Sequence, residues 1–233
     1  MLAKLRIVPT FTRQIARIAL VLGVLGILSY CQFAPRPERF GLAMLVDGPA
    51  PSEAAGVVVF LHGLGRGLAQ GEEVVRRLRS AGLTRDVSIV IVRAPYRFGI
   101  IGFSWGDTPE ERARSRVRLR SMLSGLHAQG RVTIAGFSQG ATLALDTAAD
   151  EPRIDAVASF SPCYSEKRGQ LPSRSLRFLL AHGTRDARCP VEESRSLAKI
   201  LASMNKPVRY IEFDGEHEMP REVIEALVTL VTP

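Results

Sequence analysis

The sequence predicts a single α/β domain with a mostly parallel sheet and helices on both faces. Three observations predict it: the strand-like runs are apolar on both faces, single helix-like stretches separate them, and 233 residues suit one sizeable domain. Strands buried on both faces need cover from helices on each side. We place this domain at residues 40–233, after a basic N-terminus, an apolar segment and a short linker within residues 1–39.

The elements follow in order along the chain. The predicted strands are short β-branched runs that end at glycine, proline or a polar loop. They cover residues 56–63, 86–95, 131–136, 154–160, 175–183 and 207–215. The predicted helices carry apolar residues at helical spacing, with cap or breaker residues such as Thr108, Pro109 and Gly82 at their ends. They cover residues 69–82, 108–130, 139–150, 191–204 and a last stretch from 220.

The N-terminal segment indicates a membrane. Basic residues precede residues 18–34, which carry no charge over 17 positions, the lower limit for a spanning helix. Positive charge before the apolar run predicts a membrane anchor that leaves the domain on the periplasmic or extracytoplasmic side. Two alternatives remain: cleavage of a signal peptide followed by secretion, or translation from Met44, which would give a cytoplasmic protein.

The net charge of +8 does not indicate nucleic acid as a partner. Residues 1–39 hold six basic residues and one acid, so the predicted domain has 25 basic residues against 22 acids. A nucleic-acid site needs a concentrated basic face on the folded part. The basic run at residues 112–120 is expected to be a solvated helix face, with anionic lipid or an acidic partner as the alternative. The oligomeric state is not predicted.

Two cysteines follow apolar strand-like runs. Cys163 and Cys189 could therefore lie near each other at one edge of the sheet, but we expect two unpaired thiols. No cysteine pair has the spacing of metal ligands. We expect neither a metal nor another cofactor.

The stretch GFSQG at residues 136–140 is the most informative motif. It places Ser138 between two glycines, after a predicted strand and before a predicted helix. A tight strand-to-helix turn exposes the residue at its apex and leaves room only for tiny residues two positions away. The carboxyl ends of parallel strands are where such sheets carry their active sites. The motif therefore predicts Ser138 as a nucleophile.

A serine nucleophile needs a base, and the base needs an acid to orient it. Of four histidines, His217 follows the last strand and reaches the same edge of the sheet, so we predict it as the base. His62 and His182 are expected to shape loops, and His127 ends a surface helix. Asp186, after the penultimate strand, gives the chain order Ser, Asp, His of hydrolases.

Asp214 is the alternative acid. It lies three residues before His217 on the same loop, which makes it hard to direct at the ring.

The loop HGLGRG at residues 62–67 is predicted to complete the site. The transition state of attack by a serine on a carbonyl group needs N–H donors for the oxyanion. We expect them to be the backbone N–H groups of Leu64 and of Gln139, the residue after the nucleophile. His62 and Gly63 in the same loop are expected to border the substrate.

Together these segments resemble the phospholipase/carboxylesterase branch of the α/β-hydrolases, which includes the acyl-protein thioesterases. The resemblance covers residues 56–231 and rests on FLHGLG, RAP, GFSQG, LAHGTRDARCP and GEHEMP in family order. It implies an α/β-hydrolase domain and the roles given above for Ser138, Asp186 and His217. SWGD at residues 104–107 resembles the family's tryptophan segment, so Trp105 is expected to be a wall of the acyl site.

The function predicted is hydrolysis of carboxylic esters or thioesters of short to medium acyl chains. No insertion between Ser138 and His217 is long enough for a sizeable lid over the nucleophile. The alternatives are a serine peptidase or amidase on the same fold, a non-catalytic membrane-tethered module, and related chemistry such as acyl transfer or lactone opening. The expected partner is a small-molecule or acylated substrate.

Overall fold

The computed structural model describes residues 38–39, 41–163 and 175–232. Within these ranges the chain alternates strands and helices. The strands are β1 (Glu38–Arg39), β2 (Leu42–Asp47), β3 (Gly56–Leu61), β4 (Val87–Arg93), β5 (Tyr96–Phe98), β6 (Gly102–Ser104), β7 (Arg131–Phe137), β8 (Ile154–Phe160), β9 (Arg177–Gly183) and β10 (Val208–Phe213). The helices are α1 (Leu68–Ser80), α2 (Pro109–Gly125), α3 (Gln139–Asp150), α4 (Val191–Ser203) and α5 (Arg221–Val231).

Eight strands form one mostly parallel sheet, as predicted. Their order is β1-β2-β4-β3-β7-β8-β9-β10. The pairs from β4 through β10 are parallel, whereas β2 runs antiparallel to β4 and β1 antiparallel to β2. Because the carboxyl ends of the parallel strands share one edge, the loops after β3, β7, β9 and β10 lie along it.

Helices cover the sheet and bury alternate strand positions. Val58 and Phe60 of β3 belong to a core cluster that also holds buried side chains of α1 and α5. Their neighbours Val57 and Val59 are equally buried but point to the opposite face. Helices α2 and α3 contact each other and contribute no side chain to the first cluster. This two-sided burial explains the continuous apolar runs of the central strands.

Two strand pairs were not predicted from the sequence. Strand β2 and the separate hairpin of β5 and β6 lie in stretches where we predicted no strand. Both lack the continuous apolar run of a central strand: β2 is only partly buried, and β5 is half-buried to exposed. Edge strands and short hairpins bury one face or less, so their sequences give a weaker signal.

The basic run of α2 is only partly a solvated face, which corrects the expectation. Arg116 lies 3.8 Å from the carboxylate of Asp146 on α3, and Asp146 is buried. Arg120 similarly faces the buried Glu151, at 3.7 Å. These arginines neutralise carboxylates at the α2–α3 contact, because a buried charge is costly unless it is paired.

Two expectations fall on residues that the structure does not describe. The apolar segment at residues 18–34 lies outside the described ranges, and so do residues 164–174, the part of the chain between β8 and β9 where we expected no lid. Among the described residues, the helices are too short or too polar to cross a bilayer.

Candidate active site

Ser138 lies at a sharp turn between β7 and α3. Its backbone has φ 56° and ψ −120°, a left-handed conformation that is uncommon outside glycine. The conformation is held by a hydrogen bond from the Ser138 N–H to the Phe160 carbonyl (2.8 Å), and the Ser138 carbonyl accepts from Ala141 (2.9 Å). Strain that the surrounding structure maintains is a feature of functional turns.

The two glycines of the motif allow this turn to close. A Cβ atom at Gly136 would lie 2.2 Å from the Gly140 carbonyl oxygen, and one at Gly140 would lie 2.3 Å from the Leu61 carbonyl oxygen. Any side chain would therefore collide with backbone. This close approach is the physical reason for small residues on both sides of Ser138, as the sequence predicted.

Backbone hydrogen bonds join the loop after β9 to the loop after β10. Thr184 donates to the Phe213 carbonyl, and Arg185 donates to the Gly215 carbonyl, both at 2.9 Å. The pairing brings Asp186 to His217, whose Nδ1 lies 2.6 Å from Asp186 Oδ2. A histidine held by a carboxylate at Nδ1 keeps Nε2 available as a base.

The paired histidine lies against the turn that carries Ser138. The ring of His217 packs on the ring of Phe137, with 4.7 Å between their centroids. Phe137 immediately precedes Ser138 in the chain, so the structure gathers Ser138, Asp186 and His217 at one edge of the sheet.

Asp186 is built to remain ionised. Its side chain is fully buried, and burial raises the pKa of its carboxyl. Hydrogen bonds from the Cys189 N–H, the His217 ring and the Arg188 N–H outweigh that effect and hold the pKa below its usual range. Asp214 lies elsewhere: its side chain is 83% exposed and forms an ion pair with Arg185.

The loop at residues 62–67, which was predicted to hold the oxyanion, contacts Ser138. A Cβ atom at Gly63 would lie 3.4 Å from Ser138 Cβ, so the backbone of the loop passes directly beside the serine. Within the described residues, the N–H groups of Leu64 and Gln139 have no hydrogen-bond acceptor. Two unpaired donors beside a serine suit an oxyanion that is present only during reaction.

The side chain of His62, the first residue of this loop, is fully buried. Its Nδ1–H donates to the Gly63 carbonyl (2.8 Å), and its Nε2 accepts from the Ala94 N–H (3.0 Å). Burial is the main cause that lowers the pKa of His62 to about 4, with Arg93 adding to it and the bond to Gly63 opposing it. The neutral His62 ring therefore joins the loop at residues 62–67 to the backbone after β4 through these two hydrogen bonds.

The depressed pKa of His62 predicts an acid-labile fold. Above about pH 6.5 the His62 ring is neutral in both the folded and the unfolded protein. Below that pH, His62 of the unfolded chain takes up a proton, whereas the buried ring in the folded protein, with its pKa of about 4, stays neutral until the pH is lower. The free energy of unfolding should fall by about 3 kcal/mol between pH 6.5 and 4. Urea denaturation of the full chain at several pH values measures this loss.

The matched variant for that experiment is His62→Asn, which cannot titrate. Its unfolding free energy should be lower at pH 7 but should depend less on pH over the same window. If the unfolding free energy fell equally with pH in the wild type and in His62→Asn, His62 would not be the cause of the pH dependence.

Several side-chain hydrogen bonds that hold the site were not predicted from the sequence. Gln70 accepts from the Gly63 N–H through Oε1 (2.8 Å), and Gln139 accepts from the Trp105 N–H in the same way (2.9 Å). Trp105 is buried and donates from Nε1 to the His62 carbonyl (2.8 Å). Gln139 directly follows Ser138, and Gln70 comes three positions after Gly67; this closeness to the motifs is the signal that could have pointed to the two glutamines.

Comparison with known families identifies this arrangement. Residues 119–232 match the family model described as Phospholipase/Carboxylesterase, a span that contains Ser138, Asp186 and His217. Over this segment the chain is similar to the phospholipase/carboxylesterase family. No curated protein matches the sequence significantly.

Solved structures show the same hydrolase fold. Esterase PE8 is 24% identical, covering 81% of this chain and 97% of its own, with a TM-score of 0.70. A carboxylesterase from Mesorhizobium loti is 17% identical, covering 84% of this chain and 97% of its own, with a TM-score of 0.67. Acyl-protein thioesterase 2 from Zea mays is 18% identical, covering 80% and 96%, with a TM-score of 0.62. The chain thus shares the fold of these three proteins.

Two cavities lie on either side of Ser138. One, of about 220 Å³, is mostly apolar and lies on the Gln139 side; it is lined by Trp105, Arg112, Gln139, Thr142, Leu143, Asp146 and Cys163. The other, of about 350 Å³, is polar and lies on the His217 side, where its lining includes Arg66 and Gln70. The substrate therefore has an apolar side and a polar side available to it.

Cys163 and Cys189 form a disulfide, with Cα atoms 4.5 Å apart. This corrects the expectation of two free thiols. Strands β8 and β9 are parallel neighbours, so the residues that follow them meet at the same edge. Cys189 also lies near Asp186 and His217, with ligand atoms within 4.8 Å of one another. Because its sulfur is in the disulfide, that group offers a metal only two ordinary ligands.

Proposed function

We propose that this protein is a serine hydrolase that cleaves carboxylic esters or thioesters through an acyl-enzyme on Ser138. The observation that carries the proposal is Ser138 at a left-handed turn (φ 56°), beside a His217–Asp186 pair joined at 2.6 Å. Such an arrangement activates a hydroxyl that is otherwise a weak nucleophile.

The reaction proceeds in two halves. His217 Nε2 takes the proton of the Ser138 hydroxyl as its oxygen attacks the carbonyl carbon, and the N–H groups of Leu64 and Gln139 hold the oxyanion. His217 then gives the proton to the departing alcohol or thiol. A water molecule, deprotonated by His217, cleaves the acyl–serine ester and restores the enzyme. Asp186 keeps its charge throughout and stabilises the imidazolium.

The two cavities take the two halves of the substrate. The leaving group must lie within reach of His217, and so it occupies the polar cavity that contains this ring. The acyl chain occupies the apolar cavity beside Gln139, whose volume of about 220 Å³ limits its length. Each CH₂ contributes roughly 0.8 kcal/mol only while there is cavity wall to cover it. We therefore propose short to medium acyl chains as substrates.

Hydrolysis of p-nitrophenyl esters from acetate to palmitate tests this proposal. We expect kcat/KM to be highest at short to medium chains and to fall for long ones, with no rise above the micelle concentration. Matching thioesters should be cleaved and matching amides should not. A maximum at palmitate with activation at the oil–water surface would contradict the proposed chain length, and no hydrolysis of any ester would contradict the function.

A variant that fills the apolar cavity sharpens the same test. Thr142 is half-buried and lines it, so Thr142→Phe should move the preferred chain length downward. The matched control is Val117→Phe, at a position that is 62% exposed on α2. Equal shifts in both variants would mean that the acyl chain lies elsewhere.

We further propose that residues 18–34 hold the domain on the extracytoplasmic side of a membrane. The uncharged run after a basic N-terminus supports this location. The Cys163–Cys189 disulfide adds independent support, because disulfides persist in oxidising compartments. A reporter that is active only after export, fused to the C-terminus, should give signal, and carbonate washing should leave the protein in the membrane pellet. A soluble protein in which Cys163 and Cys189 are reduced would contradict the proposed location.

A further inference from the structure

Trp105 is hydrogen-bonded to both segments that carry the proposed oxyanion donors. Its backbone N–H donates to Oε1 of Gln139 (2.9 Å), and the backbone N–H of Gln139 is one of those donors. Its indole Nε1–H donates to the carbonyl of His62 (2.8 Å), two residues before Leu64, whose N–H is the other donor. Trp105 is fully buried. One buried residue thus joins the two segments that would hold the oxyanion.

The indole bond fixes the backbone next to the Leu64 donor. The carbonyl of His62 and the N–H of Gly63 belong to one peptide group, and this N–H donates to Oε1 of Gln70 (2.8 Å). In the following peptide group, the Gly63 carbonyl accepts from Nδ1 of His62 (2.8 Å) and from the Arg66 N–H (3.1 Å). Because a peptide group is planar, these bonds also fix the direction of the Leu64 N–H.

The side chain of Gln139 is bound to the neighbours of Trp105. Its Nε2 donates to Oγ of Ser104 (3.1 Å) and to the carbonyl of Gly106 (3.2 Å). The Trp105 carbonyl accepts from the hydroxyl of Ser115 on α2 (2.6 Å), which anchors the segment to a helix. Both polar atoms of the Gln139 amide are therefore bonded, and the side chain holds the start of α3 to this segment.

We infer that Trp105 is a positioning residue that fixes the two oxyanion donors relative to each other. An oxyanion is stabilised most by donors that are in place before the reaction, because donors that must reorganise lose part of their effect. Both N–H groups of Trp105 are already bonded, so it acts through Leu64 and Gln139 and not on the oxyanion itself. This inference rests on the proposed serine-hydrolase function.

The positioning role can be told apart from two others. Trp105 also lines the apolar cavity, and a cavity wall matters little for an acetyl group and more for each added CH₂. A positioning residue acts at the carbonyl oxygen, which every ester has, so its loss should lower kcat even for an acetate ester. A residue that only filled the core would change the folded fraction and not the rate per folded molecule.

Trp105→Phe in the full-length protein tests the indole bond. Phenylalanine keeps a buried ring and the backbone N–H but lacks the Nε1–H. With p-nitrophenyl acetate, kcat per folded molecule should fall roughly 10- to 100-fold, as expected when donors are misplaced but present. No loss with acetate, or a loss that follows the folded fraction measured by circular dichroism, would overturn the inference.

The matched control for that variant is Phe178→Leu. It also reduces a buried aromatic side chain, but Phe178 lies at the start of β9, at the opposite end from the site. This change should lower the stability of the fold. It should leave kcat per folded molecule unchanged, and an equal fall of kcat in both variants would overturn the inference.

Gln139→Met breaks the other bond of the link. Methionine is a similar unbranched side chain without an amide, and the backbone N–H at this position is kept. The variant should also lose activity on acetate. Trp105→Phe combined with Gln139→Met should lose little more than the worse single variant, because either change alone already breaks the link. Losses that multiply would mean that Trp105 does not link the donors. If Trp105→Phe does not fold, Gln139→Met decides alone, and unchanged kcat on acetate would overturn the inference.

A measurement without catalysis separates this inference from the proposed function. In Ser138→Ala, the hydrogen-bonded amides of Gly63 and Gly65 report on the order of the loop after β3. Adding Trp105→Phe should speed their hydrogen exchange about tenfold relative to the amides of β3, whereas adding Phe178→Leu should not. Equal exchange with and without Trp105→Phe would overturn the inference. Wild-type protein that cleaves no ester, with exchange that responds as predicted, would contradict the function alone.

Discussion

Replacement of Ser138 by alanine should reduce ester hydrolysis by about five orders of magnitude or more in kcat. The change removes the one hydroxyl at the left-handed turn beside His217 and leaves the backbone donors in place. Without the nucleophile no acyl-enzyme forms, so His217 and Asp186 have nothing to activate except water. Steady-state hydrolysis of a short p-nitrophenyl ester measures the loss. The small residual rate should come from the oxyanion donors and substrate binding.

The control for that loss is Ser203→Ala. Ser203 lies at the exposed end of α4, and its hydroxyl donates to the Ile200 carbonyl (2.8 Å). We expect activity within about twofold of wild type, because surface substitutions away from special features have small effects. Activity in Ser138→Ala above roughly one per cent of wild type would assign the nucleophile elsewhere.

Asp186→Asn should lower kcat by about four orders of magnitude while the fold persists. Asparagine keeps the size of the side chain, but its NH₂ group, if turned to Nδ1 of His217, donates where the native carboxylate accepts at 2.6 Å. Nε2 would then carry the proton in the neutral ring and could not take one from Ser138. The buried carboxylate also stabilises the imidazolium as it forms, and that stabilisation is lost as well.

Asp214→Asn is the matched change at the rival position. Its side chain is 83% exposed and paired with Arg185, and pairs of this kind contribute little. We expect kcat to change by less than about threefold. If Asp214→Asn proved the more damaging of the two, Asp214 and not Asp186 would orient the base.

The central sheet and the loops at its edge could be predicted from the sequence because each has a strong local signal. Strands such as β3 and β7 are buried on both faces, so nearly every residue is apolar. The turn at Ser138 needs tiny neighbours at Gly136 and Gly140, where backbone passes within 2.2 and 2.3 Å of a Cβ position. Each of these requirements falls on a few consecutive residues, so the sequence pattern shows it directly.

Contacts between distant segments could not be predicted in this way. The hydrogen bond between His182 and Ser194 depends on how α4 lies against β9, and a serine within a helix carries no sign of its partner. The disulfide depended on which strands are neighbours, a matter of topology that the spacing of Cys163 and Cys189 does not contain. Pairing of Arg116 with Asp146 was missed for the same reason.

The most direct test of the account is the site of covalent labelling by a fluorophosphonate probe. Such probes react with a serine hydroxyl only where a base and oxyanion donors activate it. The full-length protein should gain the mass of one probe on the peptide that contains Ser138. The adduct should be absent in Ser138→Ala and should form far more slowly in Asp186→Asn. An adduct on another residue, or unchanged labelling of Ser138→Ala, would contradict the assignment of Ser138 as the nucleophile.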